Sequence, residues 1–355
     1  MAAGIEAEEL WSSASVSAAF SLSLLVSALC GPMTSRLIEG RGGKAVMAAG
    51  SALAAASLAL IGFAKHLEIF LVGWLFAGVA AAFTLYEAAF SLLAQQGVPD
   101  FRRSVGVVTV AGGLASTVFW PASVFLSERF GWRGMMLCFA ALQALICLPL
   151  HWHGLRRSVI VRLPAPAEPT SPTQPPRFLF LAAGFGLSSL VTSIAAVHLI
   201  PRLVDSGEST VWAAGLAALA GPFQAAARLS ELAPSVPSPH LSGFVAFSLL
   251  ALSMFALAAP RGGVAMIAAV AAYGMANGAL TIVRSATLME AAGPHSYIRS
   301  SGLVLSPSLG ARAVGPVLAA WMLSSGVTYE ALFLILTLLA LLALALFTRT
   351  RRRSG

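Results

Sequence analysis

Residues 278–290, "GALTIVRSATLME", place Arg284 inside an apolar run, where a bilayer would penalise a charge. Residues 81–93, "AAFTLYEAAFSLL", repeat the shape and carry Glu87 at the matching place. Setting "TLYE" against "TIVR" separates Glu87 from Arg284 by 197 positions, and Arg102 from Arg299 by 197 as well. Further out, "GPMTSRLIE" from Gly31 matches "GPFQAAARLSE" from Gly221, so that Arg36 and Glu39 lie 192 positions before Arg228 and Glu231. "SVG" ending at Gly106 matches "SSG" ending at Gly302, and Pro121 and Pro316 follow them. The shared order and nearly constant spacing describe two halves of one internal repeat.

Composition sets the class of chain that carries this repeat. Of 355 residues, 58% are hydrophobic and 10% charged, against about 25% charged in an ordinary soluble domain; the mean hydropathy is +0.84. Apolar runs of spanning length are expected over 13–33, 45–63, 69–94, 106–127, 135–151, 178–200, 211–227, 241–259, 263–289, 302–324 and 331–348, eleven in all. The expected fold is all-α and integral to the membrane, in two bundles related by a parallel pseudo-two-fold axis. The net charge of +8 does not mark a nucleic-acid binder, because the basic residues sit in short loops and in the terminal "RTRRR" rather than along a helix face.

Loop charge orients the chain. Loops 34–44, 95–105, 152–177, 228–240, 290–301 and the tail 349–355 hold fifteen Arg and Lys residues; 1–12, 64–68, 128–134, 201–210, 260–262 and 325–330 hold five. Positive charge stays inside, so the C-terminus is expected in the cytoplasm and the N-terminus outside. Matched helices then run in the same direction, as in transporters built from parallel repeats. The stretch 152–177, rich in Pro, Ser and Thr, reads as a cytoplasmic linker between a bundle over 1–151 and one over 178–355. The spacing puts a counterpart of helix 178–200 near residue 8, where no apolar run stands; the expectation is a chain whose first helix is missing. Two lysines against twenty arginines, with abundant alanine, suggest a bacterial source and the inner membrane.

"SRLIEGRGGK", from Ser35 to Lys44, resembles the loop between the second and third helices of the major facilitator superfamily, of the form Gly-x-x-x-Asp-Arg-x-Gly-Arg-Lys/Arg. Gly42 and Lys44 match; Ser35, Glu39, Gly40 and Gly43 stand where the family has glycine, aspartate and two arginines. "GWRG" at 131–134, "VAGGLASTVFWP" and the opening "WSSASVSAAFSLSLLVSALCGPM" also resemble a bacterial permease group distantly similar to monocarboxylate porters. The resemblance runs from the family's second helix to its twelfth. It implies a cytoplasmic gate loop containing Ser35, Arg36, Glu39, Gly42 and Lys44, and cavity-lining fourth and tenth helices that would bring Glu87 and Arg284 face to face.

The chemistry-bearing residues are few. Glu87, with Tyr86 beside it, reads as a proton pathway, and Arg284 and Arg312 as an anion site, since ionisable residues at membrane depth mark solute or proton paths. The alternatives are an ion pair that only holds the bundle, and arginines that snorkel to the surface. Gly112, Gly113, Gly274, Gly278 and Gly310 read as close helix contacts, and His198 as interfacial packing. No catalytic triad, metal cluster or Walker loop is written in the sequence: "GRGG" lacks the spacing of Gly-x4-Gly-Lys-Ser/Thr. The expectation is no enzyme and no cofactor. A secondary active transporter is expected, moving a small organic solute, anions among them, by alternating access with protons as coupling ion. The alternatives are an uncoupled facilitator or anion exchanger, or a truncated non-transporting membrane sensor.

Overall fold

The structure is a computed structural model that describes residues 11, 13–155, 175–233, 236–259 and 263–350. Most of the expected linker, outer N-terminal segment and basic tail lie outside the described residues. Among those described, the chain is α-helical without strands. The helices are α1 (Ser13–Arg41), α2 (Gly43–Phe63), α3 (Leu67–Thr84), α4 (Tyr86–Gln95), α5 (Phe101–Leu142), α6 (Pro175–Asp205), α7 (Thr210–Ala218), α8 (Ala220–Ser230), α9 (Pro239–Ala258), α10 (Val264–Ser324) and α11 (Tyr329–Thr348). Hydrocarbon offers no partner for backbone N–H and C=O groups, so apolar runs of this length close their hydrogen bonds within a helix. Helix starts follow ordinary capping: Ser209, Ser238 and Thr328 accept from the N–H of Trp212, Leu241 and Ala331.

Nine described helical segments are long and apolar enough to cross a bilayer, where eleven spans were expected. The span expected over 211–227 is divided at Leu219 into α7 and α8. Pro222 causes the break, because it has no N–H to bond the carbonyl of Ala218. The spans expected over 106–127 and 135–151 run together in α5 and two π-helical segments, Gln143–Cys147 and Leu150–Gly154. Within that run Pro121–Gly154 is the qualifying segment, and Gly131 turns the chain with φ 68°, a left-handed conformation that glycine takes at little cost. α10 holds the spans expected over 263–289 and 302–324, joined at Gly293 with φ 71°.

The positive-φ glycines carry the repeat into the backbone. Gly97 (φ 61°) and Gly293 (φ 71°) are 196 positions apart, and Gly131 (φ 68°) and Gly326 (φ 92°) are 195 apart. The spacing matches that of the paired motifs.

The chain divides into two compact units. The first comprises Met1–Val98, Ala111–Ala165 and Pro294–Gly302; the second comprises Pro99–Val110, Pro166–Gly293 and Leu303–Gly355. The core of the first gathers Val16, Ile61, Phe70, Trp132, Met135 and Met136. Phe70 meets Trp11 at a centroid distance of 5.1 Å and Trp132 at 6.1 Å. In the second, Phe185, Phe247 and Phe347 form a cluster with centroids 4.9–5.9 Å apart. Lipid is as apolar as these side chains, so the bundles hold by close packing and helix contacts rather than by expulsion of water.

One polar contact fixes a helix end in the second unit. Arg202, buried, donates to the carbonyls of Leu257 (2.9 Å) and Ala258 (2.7 Å) at the end of α9 and to Asp205 at 2.7 Å. The last carbonyls of a helix lack partners within it and carry the negative end of the helix dipole. Arg202→Met is expected to destabilise the protein by about 2–3 kcal/mol, the range for hydrogen bonds to a charged group. The check is the melting temperature of the purified variant in detergent, with Arg202→Lys falling between it and the wild type.

Candidate functional site

In the second unit, a cavity is lined by Phe185, Ser188, Ser189 and Thr192 from α6 and by Asn277, Leu280, Thr281, Arg284 and Arg312 from α10. Arg284 is 8% exposed, whereas Arg312 is exposed. The buried Tyr273 hydroxyl donates to the carbonyl of Thr192 at 3.1 Å. The two arginines are 28 positions apart in sequence. They share the cavity because α10 turns back on itself at Gly293.

Three of the hydroxyl groups in this lining are oriented by their own helices. Ser188 Oγ donates to the carbonyl of Phe185 at 2.9 Å, Thr192 Oγ1 to Ser189 at 3.2 Å, and Thr281 Oγ1 to Asn277 at 3.3 Å. Small residues bring α10 close to α8 behind the lining. A Cβ on Gly278 would lie 2.3 Å from the backbone oxygen of Gln224, and one on Gly274 would lie 2.4 Å from that of Ala220, so α8 and α10 touch backbone to backbone. Gly310, expected to make a similar contact, has nothing within 4 Å.

Glu87 and Tyr86 stand in the first unit, Arg284 and Arg312 in the second. The span expected over 69–94 is not continuous at that point. Leu85 is extended (φ −80°, ψ −170°) between α3 and α4, which puts Glu87 in the first turn of α4. A carboxylate there is favoured by the helix dipole. Glu87 is half-buried. Tyr86 stacks on Phe90 at 5.6 Å and lies against Gly112, where a Cβ would sit 2.4 Å from the Tyr86 hydroxyl.

The gate-loop residues lie in the first unit at the α1–α2 junction. Ser35 is buried and donates to the carbonyl of Gly31 at 3.3 Å. Arg36 and Glu39 are exposed, and Lys44 lies over the Trp152 ring at 5.9 Å. Gly42 adopts φ 85°. The Gln95 amide ties the loop down, accepting from Gly43 N–H at 2.9 Å and donating to the Ile38 carbonyl at 3.0 Å. His198 is buried against the Tyr329 ring at 6.0 Å, in keeping with a packing role.

Sequence reasoning passed over the neutral cavity residues Ser188, Ser189, Thr192, Asn277 and Thr281. The signal for Ser188, Ser189 and Thr192 was a cluster of serine and threonine inside an apolar run, "GLSSLVTSIA". It also used Arg102, Arg228 and Glu231 only as repeat markers. In the second unit, Arg102 Nε bonds Glu231 at 3.0 Å and its Nη2 bonds Ser242 at 2.8 Å. Arg228, 8% exposed, donates to the Thr109 carbonyl at 3.1 Å. Buried ionisable groups of this kind recur at functional positions in membrane proteins.

Spanning helices, an internal repeat and a polar cavity among apolar helices define a polytopic membrane transport protein. The chain belongs to the major facilitator superfamily, whose family profile matches residues 2–306. It is 29% identical over 338 residues to monocarboxylate transporter 11 of Homo sapiens, covering 88% of this chain and 70% of that protein. Among solved structures, the human organic anion transporter MFSD10 (TETRAN) superposes with a TM-score of 0.78 at 19% identity, covering 93% of this chain and 82% of the other. The Escherichia coli fucose:proton symporter superposes with a TM-score of 0.72 at 14% identity, covering 96% and 90%. At such identities the structures establish the fold.

Proposed function

We propose that this protein is a secondary active transporter that moves a small organic anion across a bacterial inner membrane by alternating access of two bundles, 1–151 and 178–355, joined by a linker at 152–177. The observation that carries the reading is the cavity where Arg284 and Arg312 meet a polar lining. A guanidinium presents several donors in a planar fork that matches a carboxylate. Support also comes from relatives named as monocarboxylate and organic anion transporters. In this reading the C-terminus is cytoplasmic, the N-terminus is outside, and Ser35, Arg36, Glu39, Gly42 and Lys44 belong to the cytoplasmic gate.

Protons are the coupling ion, and Glu87 carries them, with Tyr86 in the same pathway. Coupling requires that anion binding and protonation of Glu87 stabilise the same facing of the cavity, so that each raises the affinity for the other. Counterflow of radiolabelled short organic acids in proteoliposomes tests the transport, and uptake across a pH series tests the coupling. Glu87→Gln is expected to flatten the pH dependence of uptake while counterflow persists. A pH profile unchanged from the wild type would remove Glu87 from the proton path and leave an uncoupled facilitator or exchanger.

A further inference from the structure

We infer that the solute is a short polyhydroxylated carboxylate, recognised at its hydroxyl groups by cavity oxygens that can only accept. The inference rests on the anion-transport reading above and narrows it. A serine or threonine hydroxyl has one hydrogen to donate and two lone pairs to accept with. In the cavity, the hydrogens of Ser188, Thr192 and Thr281 are committed to the helix carbonyls of Phe185, Ser189 and Asn277. What these side chains hold toward the cavity is therefore acceptor capacity.

An alkyl carboxylate answers only half of this lining. Its ionised head accepts from Arg284 and Arg312 but has no hydrogen to give the three hydroxyl oxygens. A desolvated acceptor left without a donor costs binding energy, so the unsubstituted acid is penalised. Hydroxyl groups on the carbon chain remove the penalty, each giving a hydrogen to a lining oxygen. An ammonium group would also donate, but it would share the cavity with two guanidinium groups and be repelled. Asn277, which both donates and accepts, can serve the carboxylate or a hydroxyl.

The test is uptake by the purified full chain in proteoliposomes of propionate, lactate, glycerate and serine, with glycerol beside them, which share a three-carbon chain and differ in donor groups. The expected order is glycerate, then lactate, then propionate, with kcat/KM for glycerate at least about tenfold above that for propionate, the scale of one or more satisfied hydrogen bonds. Ser188→Ala and Thr281→Val, made separately, are expected to compress the glycerate-to-propionate ratio toward one. Two variants on different helices keep the test open if either fails to fold. Equal uptake of glycerate and propionate, or serine preferred to glycerate, overturns the inference and leaves the anion reading standing. Uptake of glycerol with exclusion of all four acids overturns the anion reading as well.

Discussion

Replacing Arg284 with glutamine is expected to lower uptake of an anionic solute by about 100-fold or more while leaving folded yield in detergent near that of the wild type. Arg284 is 8% exposed and lines the cavity beside Arg312. Removing one partner of a buried, hydrogen-bonded charge pair costs about 2–5 kcal/mol, which corresponds to about 30-fold to several-thousand-fold at 1.4 kcal/mol per decade. Arg312→Gln is expected to act in the same direction but less strongly, because Arg312 is exposed and its charge is better screened. Arg284→Lys separates charge from shape, since lysine keeps the charge but loses the planar fork. The measurement is initial-rate counterflow at several solute concentrations, with size-exclusion profiles of each variant alongside. Loss of folded protein in step with loss of uptake would assign Arg284 to bundle packing.

The largest effect on folding is expected at Gly278. Its added Cβ would meet the backbone oxygen of Gln224 at 2.3 Å, an atom that cannot rotate away. Overpacking of a close contact costs about 1–3 kcal/mol and sometimes more. Gly278→Leu is placed at or above the upper end, because the whole α8–α10 contact must open. Since Gln224 is one turn before Arg228, displacement of α8 is also expected to disturb the bond from Arg228 to Thr109. Gly310→Ala is the control: with nothing within 4 Å of its Cβ position, it is expected to be close to neutral. Fluorescence-detected size exclusion after heating compares the two. Equal melting temperatures would mean that α8 can yield at little cost.

A neutral clamp in the first unit bears on how the α1–α2 loop is held. Where the family pattern has two arginines, this loop has Gly40 and Gly43. The Gln95 amide bridges the end of α1 and the start of α2, satisfying the Gly43 N–H that the helix start leaves unpaired and giving the Ile38 carbonyl, which already accepts from Gly42 N–H, a second donor. Hydrogen bonds between uncharged groups are not screened by salt, unlike an exposed ion pair.

The sequence by itself determined the membrane class, the all-α content, the approximate place of the spans and the existence of the repeat. These are local properties: run length decides whether a helix can cross, and a repeat is visible as spacing. It also singled out Glu87, Arg284 and Arg312, because an ionisable residue in an apolar run is conspicuous wherever it points. The break at Leu85 was not legible, since "TLYE" contains neither proline nor glycine. The division at Leu219 could have been read from Pro222, whose missing N–H acts within one turn. Only the tertiary structure decided which polar groups share a cavity. Ser188, Asn277 and Arg312 come from well-separated stretches of the chain, and each, alone, is a small polar or charged residue on an apolar helix. Packing of α6 against α10, and the turn of α10 at Gly293, places them on one wall. The same holds for Arg102 and Glu231, 129 positions apart, which become an ion pair only after the helices between them are assembled. Helix formation is settled by neighbours along the chain, whereas a site is settled by neighbours across it.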